Sequence, residues 1–98
     1  MKSLETYQNF YFVGIGGIGM SNLARYFLSQ GNRVGGYDRT RTHLTEMLEA
    51  EGAFVHYEDN IQSVPSEFLD KENTLVVFTP AVPASHSELA YFRENGFT

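Results

Sequence analysis

An apolar run at residues 9–13, NFYFV, stops at a cluster of glycines, and apolar residues then resume at a different spacing. This change of period constrains the fold more than any other feature of the chain. Five residues of largely aromatic and β-branched type that end at glycine read as a buried strand entering a tight turn. From Met20, apolar residues return at Leu23, Ala24, Phe27 and Leu28, one face of a helix over 20–30 that Gly31 stops. Between strand and helix, Gly14, Gly16, Gly17 and Gly19 fill four of six positions.

The alternation continues downstream. RVGGY at 33–37 reads as a second strand, weakened by its two glycines and ending at Asp38. A second helix begins near Thr42, carries Leu44, Met47 and Leu48 on one face, and closes at Gly52. AFVHY at 53–57 is a third strand. Pro65 rules out a long helix in 58–71 and leaves one turn near Ser66–Leu69. TLVVFT at 74–79 is the clearest strand, followed by the loop PAVPA. Ser85 and Glu88 have the spacing of a capping box, which opens a helix over 86–95 that stops at Gly96. The order β-α-β-α-β-turn-β-α predicts an α/β fold, a Rossmann-like three-layer arrangement with a parallel sheet. Such a fold normally continues into another strand. The expectation is therefore a single domain over 1–98, truncated at the C-terminus and part of a longer protein.

Size and composition bound the function. Ninety-eight residues suffice for one core, and 42% apolar content with eight Phe and six Tyr argues for a folded globule. The absence of cysteine excludes disulfides and thiolate metal sites. The net charge of −5, with no basic cluster longer than the Arg39/Arg41 pair, is a poor match for a nucleic acid. No apolar run is long enough for a membrane span, and MKSLETYQN lacks the apolar core of a signal peptide, so a cytoplasmic protein is expected.

Gly14, Gly16 and Gly19 satisfy G-x-G-x-x-G, with Asp38 placed 19 residues beyond Gly19 at the end of the next strand. Glycines at a strand-to-helix turn let backbone amides approach a ligand closely. The helix start adds unpaired N–H groups and a partial positive charge, which suits a diphosphate. Gly17 is one glycine more than the fingerprint uses, and removes a side chain beside the diphosphate path. Asp38 admits three roles: acceptor for the ribose of a nicotinamide cofactor, contact to another nucleoside, or helix cap. The aromatic stretch Phe10–Phe12 reads as strand core, and Glu46, Glu49 and Glu51 as a solvated helix face. His43, His56 and His86 have no partners at ligand spacing, so no metal site is expected, and His86 reads as a surface residue.

The ten residues Phe12–Ser21, FVGIGGIGMS, resemble the N-terminal signature of the Mur ligases. GYD at 36–38, EGA at 51–53 and TPAVP at 79–83 fit the same resemblance, which covers nearly the whole chain. It implies that this domain binds the UDP of UDP-N-acetylmuramate. ATP and Mg would belong to a central domain with a G-T-x-G-K-[ST] loop, absent here, and a third domain would bring the amino acid. The whole enzyme would phosphorylate the muramate carboxylate and join it to L-alanine, while this piece would carry no catalytic group. By the same resemblance, Gly16, Gly17, Ile18, Gly19, Met20 and Ser21 would hold the diphosphate. Asp38 and Arg39 would lie near the uridine, and Thr79, Pro80, Ala81 and Val82 would line the uracil and sugar. The family's His after the third strand corresponds here to Asp59. A tripeptide-recycling ligase of the same family, an NAD-dependent oxidoreductase and a regulatory nucleotide sensor remain open alternatives.

Overall fold

The computed structural model describes residues 6–58, 62, 64–78 and 86–97. Four strands, β1 (Asn9–Val13), β2 (Arg33–Tyr37), β3 (Phe54–His56) and β4 (Thr74–Phe78), form one sheet in the order β3-β2-β1-β4. All three pairings are parallel. The chain works outward from β1 in one direction and then returns to its other side, so the order reverses between β1 and β4. In open α/β sheets, ligands bind outside the carboxyl ends of the strands at such a reversal.

Three helices cross between strands or follow them: α1 (Ile18–Ser29), α2 (His43–Ala50) and α3 (Ser87–Glu94). Alternate residues of β1 point to opposite faces, which defines two cores. Phe10 and Phe12 enter one core with Ile15, Ala24, Phe27, Leu48 and Val55, the side covered by α1 and α2. Phe10 and Phe27 stack with ring centroids 3.8 Å apart. Tyr11 and Val13 enter the other core with Phe68 of the 3-10 turn Ser66–Leu69 and Phe92 of α3. The result is the expected three-layer arrangement, with β1 buried along its whole length.

All three helices stop the same way. Gly31, Gly52 and Gly96 each take positive φ, a backbone region that only glycine enters freely. The residue after each glycine donates back to the last turn: Asn32 to the Phe27 carbonyl, Ala53 to Leu48 and Phe97 to Phe92. This is the Schellman closure, and at α3 the Phe92 and Phe97 rings meet edge to face as its apolar contact.

The structure departs from the sequence expectation in four places. Helix α1 starts at Ile18, two residues early, because Gly17 already supplies the extended cap geometry. Leu23, expected on the buried face, is 40% exposed; among the described residues the helix packed against α1 is α2. β3 keeps only residues 54–56 of the expected 53–57. The capping box at α3 rests on Ser85, outside the described residues. The N-cap is His86, which makes no side-chain cap bond, and Glu88 turns inward.

Candidate functional site

The site is built at the carboxyl edge, where β1 hands over to α1. Gly14 has φ +93 and turns the chain across the end of β2. There the amides of Gly14 and Ile15 both donate to the Tyr37 carbonyl, at 2.7 and 3.0 Å. Ile15 drops into the core over Gly36, and a Cβ on Gly36 would stand 2.9 Å from it. The Gly16 amide donates to Asp38 Oδ2 at 2.8 Å, and the Gly17 amide to the Gly14 carbonyl at 3.3 Å.

The first bond of α1 runs from the Ser21 amide to the Gly17 carbonyl at 2.7 Å. The amides of Ile18, Gly19 and Met20 therefore have no acceptor among the described residues. The cap is glycine, so no side chain covers them, and the first turn holds no acid. Three N–H groups without a helical acceptor lie at the positive end of a twelve-residue helix, where the dipole favours negative charge.

The glycines divide by what requires them. Gly14 is needed for its φ. Gly16 is needed for space, since its Cβ would lie 2.7 Å from Asp38 Oδ2 and 2.9 Å from Thr45 Cγ2. Gly17 and Gly19 are required by neither. Both have ordinary backbone; a Cβ at Gly17 would make only van der Waals contact, and one at Gly19 would meet open space. Both are exposed beside the three free amides. Gly19, inside the first turn, lowers stability relative to alanine, whereas Gly17 sits at the cap of α1, where glycine is favoured over alanine.

Other expected site residues are placed as follows. Asp38 lies at the end of β2, with Oδ2 on Gly16 and Oδ1 accepting from Thr40 N at 3.0 Å. It is not the cap of α2, a role filled by Thr42 in a reciprocal box with Thr45. Arg39 is exposed and makes no ion pair among the described residues. Arg41 is committed elsewhere, to Glu49 at 3.4 Å and to the face of Tyr57 at 4.5 Å. Burial raises the Tyr57 phenol above its ordinary value, and Glu49, which accepts its proton at 3.0 Å, adds to this. Ser21 is buried, and its hydroxyl donates to the Ile18 carbonyl at 3.0 Å, inside the helix. Thr79, Pro80, Ala81, Val82 and Asp59 lie outside the described residues.

Sequence reasoning missed a polar network under the α3 side of the sheet. The Tyr11 hydroxyl donates to Glu88 Oε1 at 2.7 Å, and His56 Nε2 sits 2.7 Å from the Tyr11 oxygen and 3.0 Å from Glu88 Oε2. His56 thus has a carboxylate partner, contrary to the reading from spacing, because the pair is 32 residues apart in sequence. His86, expected at the surface, is half-buried with its ring 4.5 Å from that of Tyr37. The only signal in the sequence was a Tyr among phenylalanines in β1 and a His at an inward position of β3. Among the described residues no cluster of His, Asp and Glu could hold a metal ion, and no helix is long and apolar enough to cross a membrane.

Residues 9–98 match the model of the Mur ligase family, catalytic domain. The chain belongs to the Mur ligase family. Relatives within it include UDP-N-acetylmuramate–L-alanine ligases of Phocaeicola vulgatus, 57% identical over 94 residues, and Parabacteroides distasonis, 62% identical over 87 residues. These alignments cover 96% and 89% of the chain, but 20% and 19% of the two ligases. The Mur ligase chain described here thus spans about a fifth of the length of those relatives. A crystal structure of UDP-N-acetylmuramate–alanine ligase from Thermotoga maritima superposes with a TM-score of 0.76 at 33% identity. That match covers 89% of this chain and 19% of the other. These relatives are ligases, not oxidoreductases, so the dinucleotide reading of the glycine fingerprint is not favoured.

Proposed function

We propose that this domain grips the UDP of UDP-N-acetylmuramate for an ATP-dependent, cytoplasmic ligase that adds L-alanine. The observation that carries the reading is the set of three unpartnered amides beside two glycines that the fold does not require. The diphosphate lies on the N–H groups of Ile18, Gly19 and Met20, where the α1 dipole favours negative charge. Arg39 supplies a cation on the neighbouring loop that makes no ion pair among the described residues, and the uracil and sugar extend toward Thr79–Val82. ATP and Mg belong to a central domain of the longer ligase and carry the phosphorylation there. This chain supplies no acid, base or nucleophile to the reaction; its part is to bind and orient.

An amide-shift titration of the chain with UDP-N-acetylmuramate, NAD and ATP tests this. The UDP-sugar is expected to move Ile18, Gly19 and Met20 first. Movement of these amides by NAD, with none by the UDP-sugar, would overturn the reading.

The two superfluous glycines supply a sharper check. Gly19→Ala is expected to raise thermal stability slightly, by up to about 1 kcal/mol. The added methyl stands beside the diphosphate and weakens UDP-sugar binding at least about tenfold, roughly 1.4 kcal/mol. Gly17→Ala should weaken binding alike but lower stability, because glycine is favoured over alanine at a helix cap. Calorimetric titration alongside a melting curve reads both effects; unchanged affinity in both variants would mean that these glycines do not face the ligand.

A further inference from the structure

The resemblance places Asp38 beside the uridine, but its carboxylate already has a different pair of partners. Oδ2 accepts from Gly16 N at 2.8 Å and Oδ1 from Thr40 N at 3.0 Å, so one side chain joins the glycine loop to the loop after β2. The junction is tightly built. Gly16 lies so close that a Cβ there would clash with both Asp38 and Thr45. Thr45 itself is fully buried and fixed by its reciprocal bonds with Thr42 at the start of α2. Just beyond this junction on one side are the free amides of 18–20. On the other is Arg39, between the carboxylate and the Thr40 amide that it holds.

We infer that Asp38 is a positioning residue for diphosphate binding, acting through the Gly16 and Thr40 amides and not through contact with the nucleoside. This rests on the diphosphate reading above. The carboxylate orients Gly16, hence the cap residue Gly17, hence the direction in which the first amides of α1 point. Through Thr40 it also fixes the exit of the loop bearing Arg39. A charge-assisted bond to a backbone amide is roughly twice as strong as a neutral one, which suits a joint that must not shift when a dianion arrives. An anionic side chain touching the ligand's own charge would act the other way, by repulsion.

The test compares Asp38→Ala and Asp38→Asn with the unmodified chain, using three probes: UDP-N-acetylmuramate, UDP and inorganic diphosphate. Positioning predicts that each variant weakens all three by a similar factor, about tenfold for Asp38→Ala and less for Asp38→Asn, which keeps one acceptor oxygen. A nucleoside contact predicts loss for the two uridine-bearing probes with inorganic diphosphate unaffected, and that result overturns the inference. A second readout needs no ligand. In the free protein, Asp38→Asn should move the Gly16 amide proton upfield and speed hydrogen exchange at Gly16–Met20. An unmoved Gly16 amide overturns the positioning role even if no probe binds the unmodified chain, an outcome that would separately refute the UDP-sugar reading. Should Asp38→Ala fail to fold, Asp38→Asn carries both readouts.

Discussion

Glu88→Ala is expected to destabilise the domain by about 3–5 kcal/mol, since two buried hydrogen bonds to its carboxyl group are lost at roughly 1.5–3 kcal/mol each. Glu88 is fully buried, and its two oxygens serve Tyr11 and His56. The Tyr11 hydroxyl directs its proton at Oε1, and His56 Nε2 lies within hydrogen-bond distance of both Oε2 and the Tyr11 oxygen. Truncation to alanine removes both of these bonds and leaves a void where the carboxylate stood. A domain of this size has a total stability on the order of 5–15 kcal/mol, so a large share is at stake. Urea unfolding should show the midpoint falling by roughly 2 M, given a slope near 1–3 kcal/mol per molar. A midpoint within 0.5 M of the unmodified chain for Glu88→Ala (a tolerance of about 1 kcal/mol) would show that the carboxylate is not holding α3 to the sheet.

The second large effect belongs to Gly36. A Cβ there would stand 2.4 Å from the Phe12 carbonyl oxygen and 2.9 Å from the Ile15 side chain. Neither neighbour can retreat. Phe12 lies in β1, paired on both edges, and Ile15 is packed without exposure beneath the glycine loop. Overpacking against backbone falls at the upper end of the usual cost, about 3 kcal/mol or more. Gly35→Ala offers the internal comparison, since its Cβ would meet the Phe68 ring at 2.9 Å, a side chain that is able to tilt. The expected order is Gly36→Ala well below Gly35→Ala, and both below the parent, in chemical denaturation. Equal midpoints for the two variants would refute the distinction between a yielding ring and an unyielding backbone.

These two positions also show where the sequence was readable. Features that depend on neighbours along the chain were legible: the helix stops at Gly31, Gly52 and Gly96, the mostly apolar β1, and the glycine fingerprint. Gly35 and Gly36 looked like a weakness in β2, whereas they are required by what packs on each face. Glu88 shows a different obstacle. A glutamate three residues after a serine is the same pattern whether it closes a helix cap or turns into the core. The partners that decide, Tyr11 and His56, are 77 and 32 residues away. Leu23 failed for a third reason. Helical spacing marks an apolar stripe but does not say whether a second element arrives to cover all of it. At the site, the fingerprint marked the loop between β1 and α1 that leads to the three amides without a helical acceptor. Sorting its glycines into those the fold needs and those it does not required the space around each one.

That sorting has a consequence for how such a domain changes under selection. Where a glycine is demanded by backbone geometry or crowding, stability and function penalise its loss together, and a screen for either preserves it. Gly19 is in the opposite position on the reading proposed above, because the substitution expected to weaken binding is also expected to make the fold sturdier. Selection for heat resistance alone would therefore drift toward alanine at that position. It would return a tougher domain with an intact sheet and a blocked grip, an instance of stability and activity drawing on the same residues in opposite directions.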